Sequence, residues 1–568
     1  MNRLVITLLI TLLSATAVSA RTGSRLVRHG ERAQLEVDGK PFFIIGGETG
    51  NSMASCDTDI TDAIRIADET GFNTVLIPAS WELIEREKGQ FDFSQVDTII
   101  SRAAARKLRV VLLWFGAWKN SMSCYTPEWF KRDTATYPRA RTASGKPLEI
   151  ASAFSPDVYE ADAAAFRRLL RHIADTDTAG TVIMLQIENE IGMLEDPRDH
   201  SPLAEKEYRK DVPQALMKHL SENKASLHPF LLRKWSDNGL KTGGSWTEVF
   251  GADIFTDEIF MAYNYALYVE RLAREARRIF PTMPLYVNAA MNSRGRMPGE
   301  YPSAGPLIHL KDIWHAAAPT IDFLSPDLYD RGFTGWVESY ATPDNPLFIP
   351  EIKAGPENLP QACYVLGEKG AIGLSPFAYN RQSPDPTRRE AYIKLRSLTP
   401  LMASHIASKD MNGLYFDADS TTRTIIRDGL RITASHYFTL PWDPRASDGS
   451  TWPAAGGIIL PLGPMEYIIA GTGIVLAFEP AQADRSDAAN LGEDGFLNAA
   501  ADRKQTAAAS SWKGPRIGLA SVREVAVSPD GSLTTLRTFN GDETHQGRHV
   551  RIGIDDFSIL HVKLYEYE

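Results

Sequence analysis

Short runs of β-branched and long aliphatic residues alternate with amphipathic stretches through the first two thirds of the chain. The apolar runs fall at 43–48, 74–78, 110–114, 182–187, 285–288, 321–324, 345–352 and 370–374. Each is short and apolar on consecutive positions, the pattern of a strand buried on both faces of a parallel sheet. Between them lie helical periodicities, such as 263–278 and 388–406. Eight such strands separated by helices predict an α/β fold, a (β/α)8 TIM barrel. A hairpin at 34–43, turning at Asp38-Gly39, leads into the first strand.

After residue 408 the period changes to two. Segments 413–418, 422–426, 430–436, 457–462, 467–478, 517–527 and 549–565 alternate apolar and polar residues. This predicts an all-β, sandwich-like domain over 409–568 behind a catalytic barrel over 21–408. Residues 194–280 are too long for an ordinary connection and read as an insertion between strands four and five. Its Trp246 and Phe250 are either contacts for a leaving group or anchors of the insertion. The Ala-, Asp- and Ser-rich 482–514 reads as a mobile loop, and the β-domain as a brace, since no exposed aromatic cluster marks a glycan-binding face.

Residues 1–20 carry Arg3, an apolar core at 4–13 and small residues Ala17 to Ala20. That is the composition of a secretory signal peptide, so a periplasmic or secreted protein is expected. No later apolar stretch is long enough to span a bilayer. Three cysteines, Cys56, Cys124 and Cys363, are too few for a disulfide framework and read as free thiols, with a Cys56–Cys124 bridge the alternative. The formal net charge is −10 with dispersed basic residues, which argues against nucleic acid as a partner. There is no phosphate-binding loop, no HExxH and no metal-ligand spacing among the histidines, so neither cofactor nor catalytic metal is expected. Oligomeric state stays open, a homodimer being one option.

The chemistry enters where two strands turn acidic. Gln186-Ile187-Glu188-Asn189-Glu190-Ile191-Gly192 ends the fourth strand, and Ile349-Pro350-Glu351 ends the seventh. Strand ends form the catalytic mouth of such barrels, and paired carboxylates are what glycoside hydrolysis needs. The first stretch closely resembles the acid/base signature of glycoside hydrolase family 35, the β-galactosidases, within the clan of retaining (β/α)8 glycosidases. The likeness extends over residues 30–400 and is strongest at 71–93 and 185–192. It implies Glu190 as acid/base and Glu351 as nucleophile, with Asn189 on the sugar 2-OH and Tyr329 holding Glu351. Glu48, Lys119, Asn120 and Tyr379 are expected to line the sugar pocket, with Trp118 or Trp81 stacking on a ring. Glu188 is expected to point away from the site. Two positions depart from the family pattern. Pro78 stands where a sugar-contacting Tyr is usual, and Asn120 where a Glu is usual, so the sugar itself is left open.

The reading is a retaining exo-β-galactosidase acting on oligo- or polysaccharides, such as xyloglucan-type side chains. A family 42-like galactosidase, an arabinopyranosidase, fucosidase or glucosidase is the alternative within the clan. A glycan-binding barrel without activity is the alternative outside it.

Overall fold

The computed structural model describes residues 23–440, 443–483 and 514–568. The expected signal peptide (1–20) and nearly all of the expected loop at 482–514 lie outside the described residues. Eight parallel strands close a barrel: β1 Ile44–Glu48, β2 Thr74–Ser80, β3 Arg109–Lys119, β4 Val182–Asn189, β5 Leu285–Ala290, β6 Phe323–Leu328, β7 Phe348–Ile352 and β8 Gly373–Pro376. Closure is made by β8 against β1, with Gly373 opposite Ile44 and Leu374 opposite Ile45. Every residue of β4 is buried, as the uninterrupted apolar run required.

The barrel interior is packed by one side chain or more from most strands, among them Ile44, Leu76, Val111, Tyr286, Phe323 and Phe348. Tyr286 and Phe323 stack at 5.6 Å between ring centroids. Leu35 and Val37 of the N-terminal hairpin join this cluster and plug one end of the barrel. Both turn residues of that hairpin take positive φ, Asp38 at 53° and Gly39 at 72°, the conformation a two-residue turn needs to follow the strand twist. A third strand, Ser24–His29, pairs with the hairpin and had no counterpart in the pattern reading. With one end plugged, polar chemistry is confined to the other, where the strands end.

Strand limits differ from expectation mainly at these ends. β6 runs to Leu328 rather than stopping at 324, because its last turns carry Ser325 and Asp327, which an apolar criterion rejects. β3 continues past Trp114 to Lys119 although its pairing with β4 breaks between those two residues, and Gly116 sits in that gap. The helix expected over 388–406 is two, Pro386–Ser397 and Thr399–Ser404, with Pro400 in the first turn of the second. The insertion holds five helices, the longest Ile254–Ile279, which lies along the barrel wall. Trp246 and Phe250 are buried and packed against each other, and Trp246 also packs on Phe260, so they anchor the insertion.

The C-terminal part is a two-sheet sandwich of six and four antiparallel strands. Its core interleaves Leu414, Ile459, Ile469 and Leu560 from one sheet with Ile432, Leu476 and Val550 from the other. The stretch expected as one strand over 467–478 is two, Glu466–Thr472 and Ile474–Pro480, one in each sheet. Gly473, at φ 65°, makes the corner. The outer face of the six-stranded sheet, through Ile458, Leu460, Ile468 and Ala470, joins the barrel's hydrophobic layer. Strands buried on both faces are the physical basis of a brace. Among the described residues no helix is long and apolar enough to cross a membrane. Cys56 and Cys124 are exposed free thiols, and Cys363 is buried.

Candidate active site

The last residues of β4 leave the extended conformation. Glu188 and Glu190 both take positive φ, 57° and 46°, with Asn189 between them. Non-glycine residues pay roughly 1–3 kcal/mol each for such backbone, and local hydrogen bonds offset it here. The Glu190 N–H donates to Oδ1 of Asn288 on β5 at 3.0 Å. The Glu190 carbonyl accepts the Ser121 N–H at 3.1 Å, and the Asn189 carbonyl accepts the Asn120 N–H at 3.2 Å. The coil turns Glu190 and Asn189 toward the mouth and Glu188 away from it.

Around them the strand ends converge. Carboxylate oxygens of Glu190, Asp327 and Glu351 all lie within 4.8 Å of one another. The Tyr329 hydroxyl donates to Oε2 of Glu351. Side-chain amides of Asn189 and Asn288 reach its Oε1, each at 3.4 Å. Lys119 donates through Nζ to Oδ1 of Asn189 at 2.7 Å, which turns the Asn189 amide nitrogen toward Glu351. The Asn120 amide donates to Oε2 of Glu190. Asn288 also donates to Asp327 at 2.7 Å.

Four buried acids, Glu48, Glu190, Asp327 and Glu351, thus share a site with one cation, Lys119. Burial, then the charge of Glu351, pushes the Glu190 carboxyl up to about 7, against the pull of Lys119. The same two causes hold Glu48 and Asp327 well above the usual carboxylate range. A buried carboxyl raised in this way beside the Glu351 carboxylate is placed to carry a proton, as a general acid must. Glu190, Asp327 and Glu351 lie close enough to hold a cation, while burial and the Glu351 charge favour the protonated form of Asp327.

Of the residues singled out from sequence, Glu48, Lys119, Asn120, Asn189, Glu190, Tyr329 and Glu351 come together. Three do not. Trp81 is fully buried, its indole donating to Glu85 and its ring packed on Trp129 and Phe130. Trp118 is fully buried between Tyr265 and Tyr268 on the outer side of the barrel. Tyr379 packs on Phe72 and donates its hydroxyl to the Ala63 carbonyl at 2.8 Å. An aromatic residue near a strand end can face the helical layer as readily as the mouth, and these three do.

Sequence reading missed Asn288, and it gave Asp327 no role. Both are polar ends of apolar strands, the signal that marked Glu190. It also missed Phe377, half-buried beside Glu48 and edge-on to Tyr329 at 6.0 Å. A cleft opens from Glu190 between the loop after β5 and the end of β6, walled by Asn292, Arg294, Tyr301, Tyr329 and Trp336.

A closed parallel barrel with buried carboxyls gathered where its strands end is the architecture of barrel glycosidases. Within that class, residues 34–230 match the model of glycosyl hydrolases family 35. Residues 389–551 match a domain of unknown function (DUF5597), which covers most of the sandwich. A β-galactosidase of Xanthomonas manihotis is 30% identical over 182 residues, covering 30% of this chain and 27% of that one. Among solved structures, a β-galactosidase from the psychrophilic Marinomonas ef1 is similar at a TM-score of 0.44 and 12% identity, covering 64% of this chain and 61% of that one. A β-galactosidase from Bacillus circulans sp. alkalophilus gives 0.42 and 14%, covering 65% and 57%. The chain therefore spans about a quarter of the length of the curated relative and about three fifths of these structures.

Proposed function

We propose that this protein is a retaining β-galactosidase that removes terminal β-galactosyl residues from oligo- or polysaccharides. The observation that carries it is the closeness of the Glu190 and Glu351 carboxyls, with oxygens within 4.8 Å. Retaining glycosidases hold their two carboxyls about 5–5.5 Å apart, whereas inverting ones leave roughly 6.5–9.5 Å for a water. Glu351 attacks the anomeric carbon while protonated Glu190 donates to the glycosidic oxygen. Glu190 then takes a proton from water, which frees the sugar from Glu351. Tyr329 and the amides of Asn189 and Asn288 orient Glu351, and Asn189 is the group for the sugar 2-OH. Galactose as the sugar is supported by the family match over 34–230 and by the names of the relatives.

The cleft walled by the loop after β5 and the end of β6 lies beside Glu190, on the side where the leaving group sits. The exo mode is our assignment, made from the resemblance to the β-galactosidase family. Xyloglucan-type side chains are the substrate class we favour, and secretion or periplasmic residence suits it. The test is a branched galactosylated oligosaccharide. Galactose should appear first with backbone length unchanged, and early shortened backbone fragments would mean an endo-acting enzyme. Asn120 donates to Glu190 rather than standing free for sugar hydroxyls, which keeps another clan sugar in play. A panel of nitrophenyl glycosides separates galactosides from fucosides, arabinopyranosides and glucosides.

A further inference from the structure

The end of β3 steers the site. Trp114 pairs with Ile187 on β4, and pairing resumes only at Lys119 opposite Asn189. The residues between form a bulge, which re-aims side chains beyond it. Its freed amides do not go unpaired. Ala117 and Trp118 donate their N–H groups to the Glu188 carboxyl, at 3.3 and 2.8 Å. Glu188 is fully buried on the far side of β4 from Glu190.

Beside it stands Asp162, from the helix Pro156–Thr176, also fully buried. Asp162 accepts the Trp114 indole N–H at 2.8 Å on Oδ1 and the Tyr268 hydroxyl at 2.7 Å on Oδ2. The two carboxyls meet over Gly116, where a Cβ would lie 2.7 Å from Oδ1 of Asp162 and 2.7 Å from Oε1 of Glu188. Only a glycine lets them converge. The groups acting most on the pair are each other, Trp114, Tyr268 and the two bulge amides, with no cation among them. Two adjoining carboxyls in a dry interior cannot both ionise, so one proton lies between them. Each carboxyl has donors on both of its oxygens. Burial and the neighbouring Asp162 hold Glu188 well above the usual carboxylate range. Burial raises Asp162 too, but the bonds from Glu188, Tyr268 and Trp114 pull it back down, so Glu188 keeps the proton and donates it to Asp162.

We propose that Glu188 and Asp162 act as a positioning unit, fixing the β3 bulge so that Lys119 and Asn120 reach Asn189 and Glu190. The proposal rests on the reading of Glu190 as the acid. Neither residue touches substrate. Through Asn120 their effect on Glu190 should add a loss seen only in departure of a poor leaving group, on top of any loss common to both substrates that passes through Lys119, Asn189 and Glu351.

The experiment compares kcat/KM on methyl β-galactoside and dinitrophenyl β-galactoside for Glu188→Leu, Glu188→Gln and Glu190→Ala. A displaced bulge misplaces the acid by a fraction of an ångström to an ångström, a shift worth up to about 100-fold. Glu188→Leu should lose about tenfold or more on the methyl glycoside relative to the dinitrophenyl one. Glu188→Gln, which can still donate to Asp162 and accept from Trp118 but can no longer accept from Ala117, should recover part of that loss and bring both substrates to within about tenfold of the parent. Equal losses on both substrates, no loss, or a folded Glu188→Gln that restores nothing would overturn the proposal. If Glu188→Leu does not fold, Tyr268→Phe removes one donor from Asp162 and is judged by the same preference for the poor leaving group. Should Glu190→Ala itself lack leaving-group dependence, the acid assignment fails instead. If Glu190→Ala shows it and the Glu188 variants do not, the positioning unit alone is wrong.

Discussion

Asn288 on β5 accepts the backbone N–H of Glu190 at 3.0 Å through its side-chain oxygen. One amide therefore ties the acid on β4 to β5, while its nitrogen reaches Asp327 and Glu351. Asn288→Ala should lower kcat/KM on nitrophenyl galactoside by roughly 10- to 100-fold, since it loosens both carboxyls at once. The melting temperature, read by circular dichroism, should fall by only a few degrees. Unchanged kinetics would mean the strained coil after Ile187 holds Glu190 without help from β5.

Glu190, held near 7 by burial and by Glu351, must carry a proton to act as acid. Activity should therefore fall on the alkaline side of about pH 7, with kcat/KM dropping tenfold per pH unit. Lys119 is the charge that pulls this carboxyl down. Lys119→Gln should move the alkaline limb upward, and a kcat/KM profile from pH 5 to 9 reads the direction. A downward move would show that another group titrates.

The crowding of acids has a cost in stability. In Glu190, Asp327 and Glu48 burial comes first and the Glu351 charge second in raising the carboxyls. A carboxyl raised in the folded state binds more protons there than in the unfolded chain. Stability is then lost as pH rises from the unfolded value, for Glu190 between about 4.5 and about 7. Glu351→Gln removes the shared repulsion, so its melting temperature should exceed the parent's, and by more at pH 8 than at pH 5. Activity should be lost with it. A variant less stable than the parent at pH 8 would mean that the hydrogen bonds to Glu351 outweigh the repulsion.

The barrel was legible in sequence because parallel strands are apolar on consecutive positions, and the eight runs stand out. That Glu190 and Glu351 come together was legible because each is a Glu that ends an apolar run. What escaped has physical reasons too. Gly473 hides a sheet-to-sheet corner inside one apolar run, since a change of sheet leaves the burial of its neighbours unaltered. Trp81, Trp118 and Tyr379 sit near strand ends, where one step of backbone decides between mouth and helical layer. The bulge in β3 makes that decision for Trp118, and the positive φ of Ala378 (52°) precedes Tyr379; neither is visible in a pattern of side-chain polarity. Asn288 escaped because a neutral amide at a strand end looks structural until its three partners are seen.

The last prediction concerns which aromatic residue meets the sugar. Trp118 is fully buried against Tyr265 and Tyr268, so Trp118→Phe should act through packing. It should cost about 1–3 kcal/mol of stability and leave KM within about twofold. Phe377 is half-buried at the end of β8, next to Glu48 and edge-on to Tyr329. Its neighbour Tyr329 donates to Glu351, which puts the ring near the side of the mouth where Glu351 would hold the sugar, and an aromatic face suits the C–H surface of a pyranose. Phe377→Ala should raise KM for galactosides roughly tenfold or more with little change in melting temperature. Inhibition by free galactose should weaken by the same factor, because both ligands use the same face. If instead Trp118→Phe raises KM and Phe377→Ala does not, the indole reaches the mouth during turnover and the burial seen for Trp118 belongs to the free enzyme only.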